Sequence, residues 1–178
     1  SEVRLSGITI TENIGDLIGA IYVKNGRLEI EASKLLKNNA KKGAGLLISN
    51  GEVIIKENCE ISENIASGNG GGLCIEGGTV AIENAGISGN SASFGGNIFF
   101  DDGRLTLNNV TLSEGHSVGG YGGGLFVNYS EDESEAQIEF LAVTFSQNSA
   151  GYGGAVFTKR ALTIQNATFE ENEATEQG

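Results

Sequence analysis

Apolar and polar residues alternate in short bursts along the whole chain, and the bursts recur. One series of triplets reads VRL, LEI, VII, VAI, LTL, IEF and LTI; a second, offset from it, reads IYV, LLI, LCI, IFF, LFV and VFT. Alternation at period two over three to five residues predicts strands, because successive side chains of an extended chain point to opposite faces. Between the two series stands an apolar residue followed three places later by Asn: Ile10/Asn13, Leu36/Asn39, Ile61/Asn64, Ile87/Asn90, Phe145/Asn148 and Phe169/Asn172, with Leu112/Gly115 filling the gap. This marker advances by 26, 25, 26, 25, 33 and 24 residues.

A fixed period of this length is the signature of a solenoid. Three short strands per repeat, each bounded by turn residues, describe one coil of an all-β parallel β-helix. Seven such coils, of 24–26 residues in most repeats, span the chain. One coil cannot bury its own apolar face, but stacked coils bury a continuous core. The stretch EASKLLKNNAKK has the nearest thing to a helical pattern, yet it keeps step with the markers and reads as an irregular coil. Glycine and Asn recur at the corners, where positive φ is expected. Asn amides can also stack from one coil to the next.

Composition narrows the function classes. The chain has 28 Gly and no Pro among 178 residues, so its glycines are structural positions rather than a linker. A formal charge of −12 argues against nucleic acid, whose binding rests on Lys and Arg neutralising phosphates, and against an anionic membrane surface. No run of 18 apolar residues predicts a helical span. Cys59 and Cys74 are too few for a disulfide framework or a zinc site. The repeats make residues 1–178 a single domain, with an acidic loop insertion at 129–137. The chain starts at Ser1 without Met and stops after the last marker, which predicts a processed or excised segment with uncapped ends.

Paired GG-x-[I/L/V] and F-x-x-N motifs stand at GGGL 122–125, GGAV 153–156, FSQN 145–148 and FEEN 169–172. In these the chain resembles the chlamydial-type polymorphic outer membrane proteins. The resemblance implies a right-handed single-stranded parallel β-helix and a surface-exposed adhesin. Ile or Leu often replaces Phe here, and the 178 residues contain no segment like that family's C-terminal barrel.

In-register stacking turns positions into columns. The middle residues of the second triplets, Tyr22, Leu47, Cys74, Phe99, Phe126 and Phe157, form a ladder pointing away from the core, expected as an exposed apolar interaction surface. Its partner would be a second copy, a surface or host glycoconjugate, or a protein. Asp101 and Asp102 stand one coil below the insertion, and Glu131, Asp132, Glu133 and Glu135 could join them in a weak Ca²⁺ site. Arg104 is then the nearest base for a Ca²⁺-dependent polysaccharide lyase. His116 is expected in a surface turn and Cys59 in the core; Cys74 faces the other way, so no disulfide joins the two cysteines. Asn128 is the most plausible glycan acceptor of three N-x-[S/T] sequons, since Asn109 and Asn166 occupy stacking turns. Without catalytic residues or a cofactor site, the expectation is a non-enzymatic extracellular or cell-surface adhesin or scaffold. A filament or surface-layer subunit, or the lyase, are the rivals.

Overall fold

The computed structural model describes residues 2–128 and 137–177. The described residues form 23 strands and no helix, arranged in three parallel sheets. Sheet A has eleven strands; sheets B and C have six each. Each coil runs through A, then B, then C, and returns to A one rung further on. In coil 4 these stretches are Gly78–Ser88, Ser91–Phe94 and Ile98–Phe100. Seven coils stack in this way, with Val80 beside Leu105 and Leu105 beside Ile138 in the first triplets. The second triplets pair likewise: Leu47 with Cys74, Cys74 with Phe99, Phe99 with Phe126. Gln137, expected in the insertion, is instead the first residue of a sheet A strand.

The periodicity mislocates one marker. Ile10 pairs with Leu35, and Leu35 with Ile61, so the second marker is Leu35/Asn38 rather than Leu36/Asn39. LLKNN permits two registers one residue apart. Only this one buries both Leu35 and Asn38. The small residues after each marker are also more than a turn. They form sheet B, whose inward column of Ala40, Ala66, Ala92, Ser117 and Ala150 is buried. Short side chains bring this sheet close against the coil interior. Larger residues, such as Ile30, Ile55, Ile82, Leu107 and Phe145, fill the main core with Cys59 among them. Each fully buried aliphatic contributes roughly 1.5–3 kcal/mol.

Positive φ is not confined to Gly and Asn. The A–B turn places Lys37, Glu63, Glu114 and Gln147 at φ 51–55°, with their side chains in solvent. The B–C corner admits only glycine there. A Cβ on Gly95 or Gly122 would lie 2.3 Å from the carbonyl oxygen of Ile98 or Leu125, closer than any real contact.

Next to the A–B turn runs a column of side-chain amides. Asn38 donates to Asn64 and Asn64 to Asn90, each at 2.9 Å, while the backbone N–H of Asn38 and of Asn64 is bound by the same oxygens. The second amide hydrogens of Asn64 and Asn90 go to the carbonyls of Leu35 and Ile61. Coil 5 has Gly115 where the next Asn is due. Asn97, from the B–C corner of coil 4, fills the place: it accepts from Asn90 at 2.9 Å and donates to Asn148 at 3.1 Å. In most other coils the residue at the position of Asn97 is Gly45, Gly72 or Gly124, each close to a marker amide. The exchange is reciprocal, because a Cβ on Gly115 would approach the Asn97 amide to 2.5 Å.

Asn97→Gly strands a buried donor on Asn90 and leaves Asn148 Oδ1 with the Gly115 N–H but without its amide donor, and is expected to destabilise by about 1–3 kcal/mol in urea unfolding. Gly115→Asn is expected to destabilise too, through the amide clash and the nearby Gly123 carbonyl. The double swap should cost less than the two singles added together; strict additivity would contradict the reciprocal exchange.

Eight of the 11 Lys and Arg residues lie in the first 56 positions. There they cross-link the outer face of sheet A, as in Arg27–Glu52 at 2.8 Å, Lys34–Glu60 at 2.7 Å and Lys56–Glu29 at 2.8 Å. Lys56 holds the Glu29 carboxyl below its ordinary range, and Lys34 does the same for Glu60. Stability from a lowered carboxyl is present above the unfolded value, about 4.3, and is lost as pH falls through the lowered one. Glu29 in turn raises Lys56, whose contribution persists below about pH 10.4 and fades as pH rises past the raised value. Acidification is therefore expected to speed amide exchange in sheet A of coils 1–3 before coils 4–6. Simultaneous opening would show that the ion pairs contribute nothing regional.

Candidate functional site

The outward ladder on sheet C lies beyond the main core as its register requires, but it is not an exposed surface. Leu47, Cys74, Phe99 and Phe126 are buried in a second cluster, with Phe157 partly so. Only Tyr22 is exposed, at 44%. The reason is the shape of the coil. At the B–C corner the outer faces of the two sheets turn toward each other, and the outer column of sheet B closes on the ladder. Tyr121 packs 4.6 Å from Phe157 and Phe94 5.7 Å from Phe126, centroid to centroid. Along the stack, Phe99–Phe126 and Phe126–Phe157 are parallel at 5.3 and 5.6 Å. Lys159 lies over the Phe126 ring at 5.6 Å. Lys42 reaches across the corner to Glu76 at 2.7 Å, beside Cys74. Burial pushes the Cys74 thiol up to about 12, so it is a packing residue rather than a nucleophile. Both cysteines are free.

Of the expected acidic cluster, Asp101 and Asp102 lie among the described residues. Glu131, Asp132, Glu133 and Glu135 lie outside the described residues. Asp101 accepts a 2.7 Å hydrogen bond from the Asn128 amide, and the Arg160 guanidinium donates to the backbone carbonyls of Asn128 and Asp101. Arg160 also faces Asp102 at 3.9 Å. Arg160 is thus a cation beside Asp101 and Asp102 among the described residues. The sequon side chains differ in their partners. The Asn128 amide donates to the Asp101 carboxylate and that of Asn109 to Asn84 at 2.8 Å, while Asn109 and Asn166 are both exposed. Arg104 is turned to Glu139 at 3.6 Å. His116 opens a strand rather than sitting in a turn, with Nδ1 2.7 Å from the Ser149 hydroxyl on the solvent face.

The open site lies elsewhere, on the outer face of sheet A. A cleft of about 660 Å³ crosses the later coils there. Pairing of coils 5 and 6 starts at Arg104/Gln137, but that of coils 6 and 7 only at Glu139/Thr163, so the chain around Ala161 leaves the sheet and forms a rim. Two columns make the floor: Thr106, Glu139 and Thr163 in one, Asn108, Leu141 and Gln165 in the other. Leu141 is 47% exposed. Among the described residues, no side-chain hydrogen bond engages Thr106, Asn108, Thr163 or Gln165. Periodicity could not find this cleft, since it arises where the pairing of coils 6 and 7 starts late. The loss of cations after Lys56 was the available signal.

A parallel solenoid of seven coils with a cleft on its widest sheet is a β-helix, and the family comparison agrees. The description "right-handed beta helix region" matches residues 2–177, and the chain belongs to that family. No curated protein and no solved structure matched the chain in the corresponding comparisons.

The second cluster generates a further prediction. Phe126→Ala is expected to destabilise by about 3–5 kcal/mol, as for a core aromatic. An effect below about 1 kcal/mol in urea unfolding would restore the ladder to the surface.

Proposed function

We propose that the chain is a non-enzymatic scaffold working outside the cell or at its surface, an adhesin-like β-helix that holds a partner on the outer face of sheet A. The cleft carries this reading. Most of its side chains stand on strands hydrogen-bonded to neighbouring coils, so their backbone positions are fixed, and its hydroxyls and amides are uncommitted. The groups with catalytic potential point the same way. Arg104 is paired with Glu139, and Arg160 and Asn128 tie the Asp101–Asp102 corner into the fold. The GG-x-[I/L/V] and F-x-x-N motifs add the surface setting through their likeness to the chlamydial-type polymorphic outer membrane proteins.

Beads coated with the chain are expected to attach to a cell monolayer, and Leu141→Asp, an exposed position, to reduce attachment several-fold without altering the circular dichroism. Equal attachment by both proteins would sink the proposal. So would the release of new reducing ends or unsaturated sugars from polysaccharides by the purified chain.

A further inference from the structure

We infer that the sheet A cleft takes an uncharged, extended sugar chain, a neutral oligosaccharide, and rejects anionic ones. The inference rests on the scaffold function proposed above and names its ligand. Three features of the cleft carry it. First, apart from the Glu83 carboxylate, the uncommitted polar groups of the lining are hydroxyls and amides: Thr106, Asn108, Gln137, Thr163 and Gln165. Amides both donate and accept, and so do hydroxyls, which matches the mixed demands of sugar hydroxyls. Second, Leu141 gives the floor an exposed apolar centre between Asn108 and Gln165 in its own column. A sugar ring has an apolar C–H face, and one such contact flanked by hydrogen-bonding groups is the usual build of a small-molecule site. Third, the charge is wrong for an anion. The one cation near the floor, Arg104, is turned to Glu139, Glu83 adds a second carboxylate to the lining, and the whole chain carries −12. A uronate or sulfate would meet carboxylates with no free guanidinium or ammonium to receive it.

The geometry suits a chain better than a single ring. Neighbouring rungs stand about 4.8 Å apart, of the order of one sugar unit. The hydroxyl and amide pairs Thr106/Asn108 and Thr163/Gln165 stand on coils 5 and 7, with Glu139 and Leu141 on coil 6 between them. A ligand running along the solenoid axis can therefore place successive rings on successive rungs.

The test is isothermal titration of the whole chain with pentasaccharides of β-1,4-linked glucose, mannose and xylose, and with an oligogalacturonate as the anionic probe. At least one neutral pentasaccharide should bind, and the paired change Asn108→Ala with Gln165→Ala should weaken it at least about tenfold, a loss of two hydrogen-bonding groups. The same sugar should compete with bead attachment. Both positions are at the surface, and unchanged circular dichroism separates loss of binding from loss of fold. Binding of the oligogalacturonate alone, binding unaffected by the paired change, or no binding of any neutral probe would each overturn the inference. If attachment remains sensitive to Leu141→Asp while no neutral sugar binds or competes, the scaffold survives and its partner is of another class. If attachment ignores Leu141→Asp, the scaffold reading itself has failed.

Discussion

Each coil of a parallel solenoid must hand its backbone donors and acceptors to the next coil at the same height. The buried amide column beside the A–B turn is where that demand is most severe, because the chain turns there without a straight strand to pair it. An Asn side chain meets it by binding the backbone N–H and the amide of the coil before it and a carbonyl further back. All of its polar groups are then engaged, which is what a buried amide requires. The rest of the architecture follows from this fixed point. With the turn set, sheet B begins at a constant height, its small inward residues seat it against the core, and the glycine corner returns the chain to sheet C. The Asn97–Gly115 exchange shows how strictly the column is kept. When one coil lacks its amide, a neighbouring corner supplies it.

The re-entrant B–C corner has a second effect. A solenoid with a convex outline would expose the outward side chains of sheet C. Here two outer columns face each other and make a second hydrophobic cluster outside the first. The aromatic stacks along it act between coils, rung to rung, and the contacts of Phe94 and Tyr121 act across the corner. The chain thereby gains buried apolar area without a thicker coil.

Much of this was legible in the sequence and some was not, for physical reasons. Strand position and pairing follow from alternation and period, because a one-residue slip would turn every inward side chain outward. The slip that did occur, at LLKNN, fell where two Leu and two Asn make adjacent registers look alike. Sheet B was hidden because its inward residues are small and carry little hydrophobic signal. The facing of Phe99 and Phe126 was readable from alternation, but their burial was not, since it depends on the angle at Gly95 and Gly122. Asn128 looked free as a sequon and proved to be bound to Asp101, a contact made across coils. The cleft depends on where pairing stops, which no local pattern records.

The amide of Asn97 reaches from coil 4 across coil 5 to Asn148 in coil 6. Elsewhere in the column each amide joins only adjacent coils. A rod built of nearest-neighbour contacts peels one coil at a time when pulled from an end. At this point the peeling front meets three coils tied by one side chain, so they give way together. The molecule is in this respect a mechanical chain of unequal links, with its longest rigid unit in the middle, alongside the face that carries the cleft.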